Sequence, residues 1–261
     1  LYKSYYPDYD IVLYEYDWRY DPKETAQKLN TFIEQQGYFD LIFVAHSMGG
    51  LVSSHYLNIG SEQRDNVDKH ISLGTPYLGS MLPFPIFNTG NFMDGDGLWQ
   101  FWVNCLGNLS MNDAAKEIVN NITGIYSLMP SAQYWRPYLT KNGKKVTTYQ
   151  ETTDAFNNFF LAWNEDLFNQ AQQSNNELFT NGRHITDYVD SYYIVGNGEY
   201  TVQEVNISQD IFGQKQLTTT KTNAGDGTVP LWSATIGGTT PSNKTFYKYS
   251  KFMETTALHG N

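Results

Sequence analysis

"FDLIFVAHSMGGLVSSHYLNI", residues 39–59, decides the fold. Its first half, Phe39–His46, is a short continuous apolar run, the pattern of a strand buried on both faces of a parallel sheet. From Met48 onward, Leu51, Val52 and Leu57 recur at helical spacing. Between the two halves stand a serine and a pair of helix-weakening glycines. A serine at a sharp strand-to-helix turn needs small residues two positions before and two after it, because the main chain crowds there. Ala45 and Gly49 meet that need. "AHSMG" therefore fits a nucleophile elbow with alanine in the first glycine's place. Ser47 would stand above the strand ends, and the Met48 N–H, at a helix N-terminus, would serve as an oxyanion donor. The competing reading is an ordinary strand-to-helix turn that happens to hold Ser and Gly.

Upstream, "YDIVLYEYDWRY" (9–20) is rich in β-branched and aromatic residues and reads as a strand. "DPKETAQKLNTFIEQQG" (21–37) follows as a helix, with Asp21 as N-cap, Pro22 in the first turn, Leu29, Phe32 and Ile33 on one face, and Gly37 as terminator. Downstream, "VDKHISLGTPYLGS" (67–80) supplies another strand and a glycine-proline turn. Strand, helix, strand, helix is the α/β rhythm of a doubly wound, mostly parallel sheet. From about 81 to 190 the rhythm gives way to loops and to helix candidates at 111–120 and 153–172, which predicts a lid or cap insertion over one end of the sheet. The sheet resumes at "SYYIVGNG" (191–198). Residues 199–221 read as an exposed hairpin and "NKTFYKYSKF" (243–252) as a last strand, so 1–261 is expected to form a single domain.

The 261 residues, 40% hydrophobic and 17% charged, are those of a globular chain able to bury a full core. A formal charge of −10 argues against a nucleic-acid partner, which needs clustered Lys and Arg. The lone Cys105 excludes an internal disulfide framework and a cysteine-based zinc site. No apolar run is long enough to span a membrane, and no signal peptide is visible, although the chain opens on Leu1 and a leader or upstream segment is expected to precede it. "DGDG" (94–97) lacks the later ligands of a calcium loop, so neither a metal nor a cofactor is expected. Phe84, Phe87, Phe92, Trp99, Phe101, Trp102, Tyr134 and Trp135 either line a lipid-binding cleft or form the insertion's own core. His46 reads as a packing or hydrogen-bonding neighbour of the elbow, and His55 and His70 as structural or surface residues.

A serine hydroxyl attacks well only when a histidine takes its proton, and the imidazole in turn needs an acid to hold its tautomer. On a sheet of this kind the chain order is Ser, then Asp or Glu, then His. His70, His184 and His259 lie downstream of Ser47. "AGDGTVP" (224–230) sets Asp226 between two glycines just after expected strands, and His259 comes after the next one.

"YEYDWRYD" (14–21), "AHSMGG" (45–50), "SLGTPYLGS" (72–80), "GDGTVPLWSA" (225–234) and "ALHGN" (257–261), in this order, resemble the lecithin:cholesterol acyltransferase and lysosomal phospholipase family of α/β-hydrolases. The resemblance covers the sheet-forming ends of the chain and says little about 81–190. It implies an α/β-hydrolase fold in which the second oxyanion N–H comes from a loop upstream of residues 9–20, so that either the chain is a cut-down domain or that portion lies outside the sequence. It implies Ser47 as nucleophile, Asp226 as the acid, His259 as general acid and base, and Met48 as one oxyanion donor. Asp17, Trp18 and Arg19 are implied beside the site, bracing the elbow in preference to lining the acyl pocket. The expected activity is cleavage of carboxylic esters, lipid esters first, through an acyl-enzyme, with possible acyl transfer. The alternative is a non-catalytic hydrolase-fold binding or surface module, or a truncated domain with little activity. Expected partners are a lipid or ester substrate and transient contact with a lipid surface, on a secreted or cell-surface bacterial protein.

Overall fold

The structure, a computed structural model, describes residues 9–89, 113–238 and 245–250. The expectations on 92–105 and His259 lie outside those residues. Four strands form a parallel sheet in the order β1 (Leu41–His46), β2 (Val67–Leu73), β7 (Ser191–Asn197) and β10 (Thr245–Ser250). The register runs Val44↔Ile71, Leu73↔Ile194 and Thr245↔Tyr192. Because every strand points the same way, all four C-terminal ends meet at one edge.

Helix α1 (Pro22–Gln36) begins as its sequence requires. Asp21 accepts a hydrogen bond from the Lys23 N–H at 2.7 Å, and Gly37 closes the last turn at φ 66. It packs with α2 (Met48–Ile59) around Ala26, Leu29, Ile33, Val52, Tyr56 and Leu57, and the short α3 (Ser61–Asp65) leads into β2. Residues 9–20 depart from expectation, because they form no strand. Strand-forming side chains are rewarded only against a neighbour, and no described strand pairs with this segment. Tyr14 instead stacks on Tyr16 and leans on Phe32 of α1, ring centres 5.3 Å apart. Strand β1 departs too: it is outermost in the described sheet, and Val44 is 68% exposed where burial on both faces was expected.

Between β2 and β7 lie α4 (Pro83–Thr89), α5 (Asp113–Val119), α6 (Thr123–Ser127), α7 (Tyr149–Phe159) and α8 (Glu165–Glu177). The single helix expected over 153–172 is two helices. Thr148 and Glu151 form a capping box at the start of α7, Ala162 sits at φ 58 in the break, and Asn164 caps α8 by accepting from the Leu167 N–H. The break delivers Phe160 and Trp163 into an aromatic core with Phe84, Phe87, Tyr126 and Phe156. Of the two readings open for the insertion's aromatics, Phe84 and Phe87 belong to its own core.

The hairpin β8 (Thr201–Gln209) and β9 (Lys215–Thr222) does not stand alone. It joins β3 (Leu139–Lys141) and β4 (Lys144–Val146) in a second sheet, ordered β4-β3-β8-β9. A two-stranded ribbon, β5 (Phe179–Thr180) and β6 (Arg183–His184), precedes β7, and α9 (Leu231–Ala234) follows the loop after β9. Among the described residues no helix is long and apolar enough to cross a membrane.

Candidate active site

Strand β1 carries Ser47 to the C-terminal edge of the parallel sheet, where the Ser47 N–H donates to the Leu73 carbonyl of β2 at 2.8 Å. Its backbone, φ 51 and ψ −125, is a conformation that non-glycine residues rarely adopt. Such a conformation costs on the order of 1–3 kcal/mol and persists only where its surroundings impose it. Gly50 lets the first turn of α2 close on β2: a Cβ there would lie 2.0–2.8 Å from three atoms of the Thr75 side chain, just past the end of that strand. Gly49 is looser, since a Cβ would meet the Tyr16 hydroxyl at 3.6 Å and the Ala45 Cβ at 3.9 Å. Crowding at the elbow is thus greatest one position later than the motif suggests.

Met48 is the first residue of α2, and among the described residues its N–H has no acceptor. Its side chain is buried toward α6. A Cβ on Gly124 would lie 3.0 Å from the Met48 Cε and 2.0 Å from the Trp18 carbonyl oxygen, so α6 closes on the elbow only through a glycine. The Gly124 N–H donates to the Arg19 carbonyl at 2.9 Å.

Asp17, Trp18 and Arg19 divide their roles. Arg19 Nε donates to both carboxylate oxygens of Asp17, at 2.8 and 3.0 Å, and this pairing holds the Asp17 carboxyl below its ordinary range. The pair stands at the surface, while Trp18 packs against the core that contains Met48. Sequence reasoning passed over Tyr16, which reaches the elbow through Gly49. Burial pushes its hydroxyl up to about 12. Its alternation with Tyr14 and Trp18 in "YEYDW" was the available signal.

Asp226 lies in the loop after β9, bridged in parallel to Glu199 just past the end of β7. It is 4% exposed, and its Oδ1 accepts from the Thr228 and Val229 N–H groups at 3.0 and 2.7 Å. The loop is pinned by Thr201 at the start of β8, whose Oγ1 accepts from the Gly227 N–H at 2.8 Å. That approach needs Gly225, where a Cβ would lie 2.3 Å from the same oxygen. In the sheet β1 and β7 are two spacings apart, about 10 Å. Ser47 follows the C-terminal end of β1, and the Asp226 loop is bridged to the chain just past the C-terminal end of β7. Strand β10 ends at the C-terminal edge of the sheet with Ser250, and His259 follows it in sequence.

Of the other described histidines, His46 is exposed beside the elbow, and His55, His70 and His184 are buried. His70 Nε2 and the Ser53 hydroxyl of α2 are 2.8 Å apart, and His184 Nδ1 and the Thr186 hydroxyl 2.6 Å apart. His55 lies 3.3 Å from the Ser174 hydroxyl, and burial lowers its imidazole to about 3. A cleft of about 510 Å³ adjoins the Asp226 loop at Ala224 and Pro230. Arg136 lies 3.5 Å over the Trp232 ring at its wall; neither Ser47 nor Asp226 lines it.

The family model described as lecithin:cholesterol acyltransferase matches residues 3–223, ending just before Asp226. No curated protein matches the chain. Among solved structures, the crystal structure of the Tle4–Tli4 complex is similar at 15% identity and a TM-score of 0.58, covering 88% of this chain and 60% of that one. The crystal structure of the Bacillus licheniformis lipase BlEst2 in mature form aligns at 17% identity and a TM-score of 0.39, covering 96% of this chain and 73% of that one. The likeness to the first shows the fold, a mixed α/β sheet of the α/β-hydrolase kind. This chain spans about 60% of that protein's length.

Proposed function

The chain belongs to the lecithin:cholesterol acyltransferase family, and from that premise we propose that it cleaves carboxylic esters, lipid esters first, through an acyl-enzyme on Ser47. The observation that carries this reading is the backbone of Ser47, held at φ 51 on the turn from β1 into α2. A plain strand-to-helix turn has no need of so strained a serine.

In the proposed reaction Ser47 Oγ attacks the ester carbonyl carbon as His259 takes the hydroxyl proton. The carbonyl oxygen becomes an oxyanion facing the Met48 N–H. Collapse breaks the bond to the alcohol oxygen, which leaves with the proton from His259. Water, or a second alcohol, then attacks the acyl-serine, gives its proton to His259 and restores Ser47; the alcohol route is acyl transfer. Asp226 holds the imidazole in the tautomer that accepts from Ser47 and steadies its positive charge. Its Oδ1 already receives two main-chain N–H groups, which anchor the carboxylate.

A fluorophosphonate probe tests the reading. Labelling is expected on the wild-type protein and absent from Ser47→Ala. Asp226→Asn is expected to keep the fold and lower kcat on p-nitrophenyl esters by about 10⁴. Failure to label, or equal labelling of Ser47→Ala, would overturn the acyl-enzyme reading for this chain in favour of a non-catalytic module or a truncated domain with little activity.

A further inference from the structure

The tip of the β8–β9 hairpin is built against the usual rule for exposed turns. Ile211 and Phe212 are 92% and 83% exposed, side by side, at the end of the second sheet. The turn beneath them is stiff. Asp210 Oδ1 accepts from the Phe212 and Gln214 N–H groups, each at 2.8 Å, and the Gly213 N–H donates to the Asp210 carbonyl at 3.0 Å. Gly213 supplies the left-handed step at φ 82, and Gln209 Nε2 donates to its carbonyl at 2.9 Å. The two apolar side chains are therefore presented by a bonded loop, which lowers the entropy lost when they are buried.

The same end of the sheet collects lysines. Lys141 stands level with Ile207 of β8, Lys144 lies across from Lys141, Lys145 across from Thr140, and Lys215 across from Gln209. The β3–β4 turn is tied to the base of the tip, since Asn142 Oδ1 accepts from the Gln209 N–H at 3.3 Å and the Asn142 N–H donates to the Ile207 carbonyl at 3.0 Å. At ~3.3 Å per residue, all four lysines fall within about 17 Å of Ile211 along the strand axis. Among the described residues none of the four forms an ion pair. The only acidic residue on these turns is Asp210, whose carboxylate is spent on the turn itself. In a chain of net charge −10, this end is a local basic field.

We propose that the β8–β9 tip docks on an anionic lipid surface, with Ile211 and Phe212 sinking below the headgroups and Lys141, Lys144, Lys145 and Lys215 held among them. An apolar tip with lysines at headgroup level is what an interface of this kind rewards. A protruding tip also suits a soft surface, whereas a protein partner would have to supply a matching groove. Lysines on both faces of the sheet fit a planar charge better than such a groove.

The test is sedimentation of the full chain, in a Ser47→Ala background that leaves lipid intact, with vesicles of phosphatidylcholine alone or mixed with phosphatidylglycerol. Binding to the anionic vesicles is expected to exceed that to the neutral ones by at least about tenfold at low salt and to fall as salt rises. Ile211→Ser with Phe212→Ser is expected to weaken it by at least about tenfold. Replacing the four lysines with glutamine is expected to erase the preference for anionic vesicles. Unchanged circular dichroism and Tm would show the variants folded. Indifference to both kinds of vesicle, or binding that survives both sets of substitutions, overturns the proposal; the former outcome would assign the tip to a protein partner. Since no ester is cleaved in this assay, its failure is separate from a failure of the hydrolase reading.

Discussion

Gly49 and Gly50 look equivalent in "HSMGG", yet their surroundings set them apart. A Cβ at 50 would strike three atoms of Thr75 at 2.8 Å or less, while one at 49 would meet only ordinary contacts at 3.6 and 3.9 Å. Gly50→Ala is expected to cost about 1–3 kcal/mol through overpacking. Gly49→Ala, in a helical position, is expected to be neutral or stabilising by up to about 1 kcal/mol. Urea unfolding of the two variants checks both, and equal losses would refute the assignment of the tight contact to position 50. Ser47 itself was legible from its neighbours, because the elbow is a local device of strand, small residues and helix. Tyr16 was legible only as one of an alternating set with Tyr14 and Trp18, since its approach to Gly49 is made in the tertiary structure.

Elements obeyed their local signals wherever the partner was local. Helix α1 starts at its cap and stops at its glycine, and α2 follows β1 as its spacing requires. Where the partner is distant the reading slipped: the 9–20 stretch has strand composition and no described strand to pair with, and the 153–172 helix is broken because Phe160 and Trp163 turn into the aromatic core. Phe156 sits within 5.0–6.0 Å of the rings of Phe84, Phe160, Trp163 and Phe168, so Phe156→Ala should cost about 3–5 kcal/mol in urea unfolding. A loss below about 1 kcal/mol would mean that these helices do not depend on that core. The Asp226 loop depends on β8 in a similar way. Thr201→Val removes the oxygen that receives the Gly227 N–H, and is expected to lower kcat on a soluble ester about tenfold while costing only about 1–2 kcal/mol of stability. An unchanged kcat would show that the loop holds Asp226 without it.

Across the whole molecule a buried polar network ties the insertion to the helices of the sheet. Asp21, the cap of α1, accepts from the hydroxyls of Ser174 on α8 and Ser127 on α6, at 3.1 and 3.2 Å, and Ser174 also meets His55 of α2. Burial lowers the His55 imidazole to about 3, with Lys23 adding to the effect, so the unfolded chain takes up this proton before the folded one does. The contribution is present in full above the ordinary value near 6.5 and is lost as pH falls toward 3, about 2 kcal/mol of it by pH 5. Asp21 runs the other way: burial raises its carboxyl, so its share is full in acid and is lost as pH rises through the raised value. Comparing Tm between pH 7.5 and 5 in the wild type and in His55→Gln isolates the histidine, and the variant should show the shallower decline. Parallel slopes would remove His55 from the network.

By itself the sequence determined the α/β rhythm, the strand-to-helix turn at Ser47, and the cap and stop of α1, because each depends on residues within a few positions. Tertiary structure decided that Asp17 pairs with Arg19 at the surface while Trp18 faces the core, that the β8–β9 hairpin joins β3 and β4, and that Ile211 and Phe212 are left outside. Hydrophobic period names the face a residue presents, but only long-range pairing chooses the neighbour that covers it, or leaves it bare.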